Sequence, residues 1–535
     1  MTPVGQASRP AAGLQAGPGP VHPSAAPGRC IQAGPGPVHP SAAPVSRRAF
    51  LSSLAALPQE ARLPRPNIVF ILADDLGWGD LSCYGNRRCQ TPNLDKLASQ
   101  GVLFTQFYVN APVCSPSRTA FTTGHFPARH RVHGHFMLDH AGNERRGMPD
   151  WLDPQVPTLA SSLQRAGYAT AHFGKWHLGN TPDAPLPDKY GFDHHMSVSS
   201  SETRWQEMAP GFRARSTAWI VDTALDFIAK QKAQPFYTQL WTLLPHAPLA
   251  PTEEQMAPFA NLQPRPHVPH KGAWQIYNAS LKDLDDQLGR FFRRLEDLGQ
   301  ADNTLVLFSS DNGPEDIHIQ NAAHSAAGSP GPFRGRKRSL YEGGVRLPFI
   351  ARWPGRIPAG RVDGRSVLSA VDFAPTLARL ALADPLPQPD GEDVTSALLG
   401  QPGTRRTDLC WEWRFNIPGY YANRSPILSI RGGDHKLLMN PDRSRVELYD
   451  IPRDPGEAMN LAPQQPKLVE ALSAKLLSWS KTLPPGQMDP GAGSLDYPWP
   501  RPANKDVGQA ATPAAGLQAR PPNDTITPIP QGAPR

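Results

Sequence analysis

The chain has 535 residues, of which 39% are hydrophobic and 19% are charged. It is therefore long enough to bury a large core and is neither a minidomain nor a fibre. Its formal net charge of +7 divides into +4 for residues 1–63, zero for residues 485–535 and +3 for the middle, which is too small an excess for a nucleic-acid-binding protein. No run approaches the roughly 18 consecutive apolar residues of a membrane span, so we expect no membrane-spanning segment.

The two ends of the chain are rich in Pro and Gly and lack apolar periodicity. The run QAGPGPVHPSAAP occurs at 15–27 and again at 32–44, which predicts a disordered low-complexity repeat over 1–45. A disordered tail is predicted over 485–535. Between the repeat and the folded body, the Arg47-Arg48 pair and the short apolar run behind it resemble a twin-arginine export signal over 46–63. We therefore expect export, to the bacterial periplasm or the cell exterior.

Apolar runs alternate with amphipathic segments through the middle of the chain. Residues 67–73 form a continuous apolar run, expected of a strand buried on both faces. Further along the chain, the patterns predict helices at 91–101, 158–167, 216–232 and 274–298 and strands at 168–173, 236–244 and 304–308. This alternation predicts an α/β domain over 64–390, built on a large mixed central sheet flanked by helices.

A Pro-rich polar stretch near 385–405 separates this domain from a smaller one. Beyond it, short strands are predicted at 427–431, 435–439 and 446–449, followed by a helix at 466–481. The pattern predicts a small C-terminal α+β domain over 405–484.

Two of the predicted strands end in oxygen-bearing side chains. Asp74 and Asp75 follow the first strand, and Asp311 and Asn312 follow the strand at 304–308. Ligands of open α/β sheets gather at the carboxyl ends of the strands. Three carboxylates and an amide suit a hard cation such as Ca²⁺ or Mg²⁺ better than Zn²⁺. For either pair alone, a role in capping a loop remains an equal alternative.

Cys114 stands at the start of a predicted helix that ends at Gly124. Helix N-termini attract anions, and Arg118, one turn further on, is placed to brace the side chain at 114. This arrangement suits a nucleophile at an anion site, although a free Cys is more often a small buried apolar side chain, and spacing alone favours that role for Cys114. The five Cys are too few for a disulfide scaffold, but Cys83 and Cys89 can pair in an oxidising compartment.

The segment Cys114-Ser115-Pro116-Ser117-Arg118, followed by Thr123-Gly124, resembles the formylglycine signature of the type I sulfatases, members of the alkaline phosphatase-like superfamily. Other segments resemble further blocks of that family in the same order, at 74–80, 174–179, 310–313, 334–337, 342–344 and 447–461. The resemblance spans about residues 65 to 462 and implies a sulfatase that hydrolyses sulfate monoesters.

The resemblance also implies the chemistry of the site. A formylglycine-generating enzyme would oxidise Cys114 to formylglycine, whose hydrate attacks sulfur with one hydroxyl and expels sulfate with the other. The implied ligands of Ca²⁺, with Mg²⁺ as the alternative, are Asp74, Asp75, Asp311, Asn312 and the modified residue 114. Among the other implied catalytic residues, Arg118 and Lys175 would hold the diol and offset the charge of the sulfate. His177 would take the proton from the second hydroxyl. His246 and Lys337 would contact the sulfate and assist the departing oxygen.

The substrate is less well defined. Residues 331–346 look more like bacterial N-acetylgalactosamine 6-sulfatase-like enzymes than simple aryl sulfatases, which favours a carbohydrate sulfate ester. One aromatic cluster consists of Trp411, Trp413, Tyr420 and Tyr421. It either stacks on a sugar or packs in the core. Within the basic run, Arg336 is the alternative to Lys337. The alternative functions are hydrolysis of phosphate or phosphonate esters on the same fold, and non-catalytic binding of sulfated glycans with Cys114 unmodified.

Overall fold

The computed structural model describes residues 65–198, 211–231, 233–262, 272–316 and 324–496. The repeat predicted over 1–45 and the export signal predicted over 46–63 lie outside these residues. The tail predicted to be disordered from 485 is described as far as 496, and this part is hydrogen-bonded: the Asp489 amide donates to the Arg414 carbonyl, and Arg424 Nη1 donates to the Leu495 carbonyl at 2.7 Å.

A large mixed sheet forms the centre of the molecule. Its strands are β1 (Asn67–Ala73), β2 (Val102–Tyr108), β3 (Ala169–Lys175), β4 (His194–Val198), β5 (Phe236–Trp241), β6 (Thr304–Ser310), β7 (Arg346–Arg352), β8 (Arg361–Asp363) and β9 (Leu368–Ser369). The order is β4-β3-β5-β1-β6-β7-β2-β8, with β9 also beside β2. The strands from β4 to β6 are parallel, whereas β7 is antiparallel to both β6 and β2. The predicted mixed central sheet is therefore confirmed.

The C-terminal part adds a smaller antiparallel sheet. It consists of β10 (Leu409–Glu412), β11 (Leu428–Gly432), β12 (His435–Met439) and β13 (Glu447–Asp450), hydrogen-bonded in that order. Three of these strands lie within one residue of their predicted positions, while β10 was not predicted. Trp411 in β10 is buried and donates its Nε1 hydrogen to the Val109 carbonyl at 2.7 Å, so the small sheet packs directly against the core of the large domain.

Helices cover both faces of the central sheet. The α-helices of the described residues are α1 (Pro92–Ser99), α2 (Cys114–Thr123), α3 (His140–Arg145), α4 (Leu159–Arg165), α5 (Ser216–Lys230), α6 (Glu253–Met256), α7 (Ala273–Asp297), α8 (Glu342–Val345), α9 (Phe373–Ala381), α10 (Thr395–Leu398) and α11 (Pro466–Ser480). Of these, α11 packs against β11 and β12 of the smaller sheet. In β1, Phe70 and Leu72 pack into the cluster that includes α2, α4 and α9, while Val69 and Ile71 pack into the cluster that includes α5 and α7. Alternate side chains of a strand point to opposite faces, so β1 is buried on both sides, as its apolar run predicted.

The register of the sheet fixes the location of the site. Strand β1 lies between β5 and β6, and Ala73, its last residue, pairs with Ser310 at the end of β6. The residues that follow these two strands therefore leave the sheet side by side at its carboxyl edge.

Two further expectations concern the cysteines and membrane-spanning helices. Cys83 and Cys89, for which the sequence left pairing in an oxidising compartment open, are both free thiols, and Cys89 Sγ lies 3.6 Å from the Asn278 carbonyl. Over the residues described, no helix combines the length and apolar character needed to cross a membrane.

Candidate active site

Four oxygen-bearing side chains meet at the carboxyl edge of β1 and β6, as predicted. Asp74, Asp75, Asp311 and Asn312 are all buried. The Asp75 amide donates to Asp311 Oδ1 at 3.2 Å, and Asn312 Nδ2 donates to Asp75 Oδ1 at 2.7 Å. Asp75 has a φ of 65°, a left-handed conformation that is uncommon for residues other than Gly and is held here by these bonds.

Cys114 is the first residue of α2 and points into this cluster. It is buried, and its Sγ lies 3.6 Å from Asp74 Oδ1. One ligand atom from each of Asp74, Asp75, Cys114 and His246 lies within 4.8 Å of the others. Helix α2 ends at Gly124, whose φ of 72° closes it, so the predicted bounds of this helix agree with the structure.

The burial of Cys114 also determines its protonation state. Desolvation raises the pKa of the thiol to about 12, even though Lys175 and Lys337 lie nearby. The unmodified side chain is therefore a neutral thiol near pH 7, and a thiol is a much weaker nucleophile than a thiolate.

Three cations balance the three carboxylates. Arg118 donates from Nε and Nη2 to Asp311 Oδ2 at 3.0 and 2.7 Å, and from Nη1 to the Lys175 carbonyl at 2.7 Å. Lys175 Nζ lies 2.6 Å from Asp74 Oδ2. Lys337 Nζ lies 2.6 and 2.8 Å from the two oxygens of Asp75. Arg118 was expected to brace residue 114, whereas its hydrogen bonds go to Asp311 and to the Lys175 carbonyl.

Burial and these cations shift the carboxylate pKa values in opposite directions. Burial alone would raise the pKa of Asp74, but the positive charges of Lys175 and Arg118 outweigh it and hold that pKa well below its usual value. Burial, with the negative charge of Asp74 adding to it, raises the pKa of Asp311 to about 6. Burial also raises the pKa of Asp75, despite its contact with Lys337.

The two predicted histidines lie at the same edge of the sheet. His177 is buried with a φ of 57°, and neither ring nitrogen has a hydrogen-bond partner among the described residues. His246 Nε2 lies 3.7 Å from Asp75 Oδ2, and 22% of its side chain is exposed. Burial, reinforced by the positive charge of Lys175, lowers the pKa of both residues well below the usual value, so both rings are neutral near pH 7 and can accept a proton.

Sequence reasoning missed Glu315 and Arg338. Glu315 Oε2 lies 3.7 Å from Lys337 Nζ and accepts a hydrogen bond of 3.1 Å from Arg338 Nη2. Burial would raise the pKa of Glu315, but Arg338 and Lys337 outweigh it and lower that pKa to about 2. No local pattern connects the two residues, and Arg338 belongs to a basic run that resembles a solvated loop.

The structure also distinguishes Lys337 from Arg336. Arg336 donates to the backbone carbonyls of Glu315, Ala326 and Gly328 at 2.8, 2.9 and 2.6 Å. It therefore holds the loop together, whereas Lys337 is the residue that contacts the carboxylate cluster.

The donor set fits a hard cation. The cluster offers carboxylate and amide oxygens, the ligands that Ca²⁺ and Mg²⁺ prefer. Asn312 Oδ1 is buried and accepts no hydrogen bond from the described residues. A buried acceptor without a donor is unfavourable, and a metal ion would satisfy it.

Known proteins match this chain over most of its length. Residues 66–383 match the Sulfatase family model, and residues 333–482 match the model described as N-sulphoglucosamine sulphohydrolase, C-terminal. The chain is 31% identical to N-acetylgalactosamine-6-sulfatase of Canis lupus familiaris, with 87% of this chain and 96% of that protein covered. It is 32% identical to human arylsulfatase A, with 79% of this chain and 89% of that protein covered.

A solved structure with the same fold is titled "Crystal structure of Ps i-CgsB in complex with k-i-k-neocarrahexaose". It aligns with this chain at a TM-score of 0.66 and 26% sequence identity. The alignment covers 79% of this chain and 94% of the chain in that structure. The chain therefore belongs to the sulfatase family, and it is a sulfuric ester hydrolase with the alkaline phosphatase-like fold that the sequence resemblance implied.

Proposed function

We propose that this sulfatase hydrolyses sulfate monoesters of a carbohydrate, with formylglycine at position 114 as the nucleophile and Ca²⁺ as the metal ion. The observation that carries the proposal is the position of Cys114, which is buried at the start of α2 with its Sγ 3.6 Å from Asp74. Asp75 and His246 each offer a further ligand atom within 4.8 Å of this sulfur.

Modification of Cys114 explains how such a residue acts as a nucleophile. A buried thiol with a pKa of about 12 is protonated at neutral pH. Hydrated formylglycine supplies one hydroxyl to attack sulfur and a second to release sulfate, which a plain Cys or Ser lacks. The proposal therefore requires a formylglycine-generating enzyme as a partner during production of the protein.

Calcium would be held by Asp74, Asp75, Asp311, Asn312 and residue 114, with Mg²⁺ as the alternative ion. The bound ion would polarise the sulfate group and favour ionisation of the attacking hydroxyl. The buried oxygen of Asn312, which lacks a donor, supports this assignment.

The remaining residues bind charge or move protons. Arg118 and Lys175 flank residue 114 and Asp74, where they would orient the nucleophile and offset the charge of the sulfate. His177 would accept the proton of the second hydroxyl, because its ring is neutral and neither ring nitrogen has a hydrogen-bond partner among the described residues. His246 and Lys337, both on the Asp75 side, would contact the sulfate and support the departing oxygen.

The carbohydrate assignment rests on relatives. The mammalian enzyme that covers most of this chain is named for N-acetylgalactosamine 6-sulfate, and the solved structure described above contains a neocarrahexaose. The twin-arginine resemblance at 46–63 supports export, so we propose that the enzyme meets its glycan in the periplasm or outside the cell.

The test is sulfate release by protein co-produced with a formylglycine-generating enzyme. The panel contains 4-nitrophenyl sulfate, N-acetylgalactosamine 6-sulfate, a chondroitin 6-sulfate hexasaccharide and phenyl phosphonate esters. We expect release from a sugar sulfate, loss of turnover in Cys114→Ala, and no steady-state turnover in Cys114→Ser, which has only one hydroxyl. Equal activity of Cys114→Ala would refute the nucleophile, and faster hydrolysis of the phosphonate would refute the proposed substrate class.

A further inference from the structure

His246 lies on a loop that has little backbone hydrogen bonding of its own. The loop, residues 243–248, follows β5 and contains Pro245 and Pro248, which have no amide hydrogen to donate. Among the described residues, none of its amides donates to a backbone carbonyl. Ser325 Oγ donates to the Pro245 carbonyl at 2.6 Å. The loop therefore depends on donors from other parts of the chain.

Arg213 supplies most of these donors. It lies in the short turn before α5, and its guanidinium donates to four carbonyls of the loop. Nε donates to the Pro248 carbonyl at 2.9 Å. Nη2 donates to the carbonyls of Leu243 at 3.0 Å, Ala247 at 3.3 Å and His246. A single side chain thus holds the loop on both sides of His246.

The same contacts orient the imidazole ring. His246 Nδ1 is hydrogen-bonded to the Ala247 carbonyl, which also accepts from Arg213. A carbonyl oxygen only accepts, so Nδ1 carries the hydrogen and Nε2 is the nitrogen left to exchange a proton. Nε2 lies 3.7 Å from Asp75 Oδ2. The orientation that turns Nε2 toward the carboxylate cluster is therefore set by a carbonyl that Arg213 holds.

The hydrogen bonds of Arg213 are unusual for a buried arginine, which is seldom found without a carboxylate partner. Arg213 is 8% exposed, and all its hydrogen bonds to the described residues go to backbone carbonyls. Burial lowers its pKa to about 10, against the attraction of Asp74 and Asp75, so the guanidinium is charged near pH 7. A buried charge is costly unless it is hydrogen-bonded, and here the bonds are all made to the loop that carries His246.

We propose that Arg213 is a positioning residue that holds the His246 ring where it acts on the substrate. The inference rests on the proposed function, which gives His246 the task of supporting the departing oxygen. Among the described residues, Arg213 makes no hydrogen bond to the carboxylate cluster or to the side chain at 114. Its effect on turnover should therefore pass through His246.

A double-variant cycle tests this connection. Arg213→Lys keeps the charge, but a single amine cannot reproduce the fork of bonds from Nε and Nη2. With the panel substrate that wild type hydrolyses fastest, Arg213→Lys should lower kcat/KM about tenfold, because a misplaced proton-transfer group loses part of its effect. In the His246→Ala background, the same substitution should change kcat/KM by less than about twofold. Equal losses in the two backgrounds would overturn the inference, since the effect would not pass through His246.

The leaving group gives a second readout. Support for a departing oxygen matters more when that oxygen is more basic, and the phenol released from phenyl sulfate is more basic than 4-nitrophenol. In Arg213→Lys we expect kcat/KM to fall about tenfold for phenyl sulfate but only about twofold for 4-nitrophenyl sulfate. Arg213→Gln, which retains one donor group without the charge, should show the same pattern. Losses of the same size for both esters would contradict a role through His246.

Arg65→Lys is the matched control. Arg65 Nε donates to the Ala381 carbonyl at 3.1 Å and Nη2 donates to the Ala166 carbonyl, but Arg65 precedes β1 and so lies at the edge of the sheet opposite the site. It should leave the kcat/KM ratio of the two esters unchanged, and melting temperatures show whether each variant is folded.

The cycle also separates this inference from the proposed function. Equal losses in the two backgrounds would remove the role of Arg213 and leave the proposed function in place. If His246→Ala retained the wild-type kcat/KM, the role of His246 in the proposed function would be wrong, and the role of Arg213 would be wrong with it.

Discussion

A single buried ammonium group connects the C-terminal sheet to the segment that carries Lys337. Lys436 in β12 is fully buried, and its Nζ lies 2.9 Å from Glu342 Oε1 and 3.0 Å from Glu457 Oε1. Glu342 is the first residue of α8, and its amide donates to Glu457 Oε2 at 2.6 Å. The substitution Lys436→Met keeps a long unbranched side chain but leaves two buried carboxylates without their shared cation.

The cost of that change follows from the two carboxylates. Burial would raise the pKa of Glu342, but Lys436 and Arg346 outweigh it and lower that pKa to about 2. Burial raises the pKa of Glu457 to about 7, although Lys436 opposes this shift. Removing one partner of a buried ion pair typically costs about 3–5 kcal/mol. We expect Lys436→Met to lower the free energy of unfolding by that amount at pH 7.5.

Urea denaturation followed by tryptophan fluorescence measures the effect. The matched control is Lys475→Met, because Lys475 pairs with Asp408 at 2.8 Å but is 58% exposed, so its loss should cost less than about 1 kcal/mol. The double variant Lys436→Met/Glu457→Gln removes one of the stranded charges and should recover about half of the loss. A single variant as stable as the Lys475→Met control, or a double variant with no recovery, would refute this reasoning.

Four further outcomes are expected. In wild type co-produced with a formylglycine-generating enzyme, the peptide carrying residue 114 should have the mass expected when an aldehyde replaces CH₂SH; the thiol mass alone in an active enzyme would contradict the proposed nucleophile. Added Ca²⁺ should raise the melting temperature of wild type but not of Asp311→Asn, and an equal rise in both would argue against Asp311 as a ligand. Gly313→Ala should lower stability by about 1–3 kcal/mol, because its Cβ would lie 2.0 Å from the Gly343 carbonyl oxygen; urea denaturation measures this. Because the folded-state pKa of Glu457 is raised from 4.5 to about 7, its contribution to stability is complete below about pH 4.5 and is lost as the pH rises through 7. Glu457→Gln should flatten this decline in unfolding free energy, and an unchanged slope would contradict the assignment.

The predicted elements that agree with the structure are those with local signals. The apolar run of β1 and the stripe of α7 were recognisable because each element buries side chains at a fixed period. The predicted start of α4 agrees with the structure because Thr158 caps the helix: its side chain accepts a hydrogen bond from the Ser161 amide and forms a capping box with Ser161. The carboxylate cluster followed from β1 and β6, since the ends of neighbouring parallel strands meet at one edge.

Some of the missed elements depend on contacts between distant parts of the chain. Strand β7 begins and ends with Arg and contains Pro348, so its sequence lacks the usual features of a buried strand. It is stabilised by antiparallel pairing with β2 and β6, which are far away in sequence. The Glu315 and Arg338 pair was missed for the same reason, because its 23-residue separation matches no local motif.

The charges around Cys114 balance in a way that no single motif shows. Four carboxylates, Asp74, Asp75, Asp311 and Glu315, face four cations, Arg118, Lys175, Lys337 and Arg338. Burial of unpaired charge is costly, so this neutrality explains how eight ionised groups share one buried region. A divalent cation would add two positive charges, which a sulfate ester would partly neutralise. Metal binding and anion binding should therefore strengthen each other, and by linkage the increase in affinity must be the same in both directions.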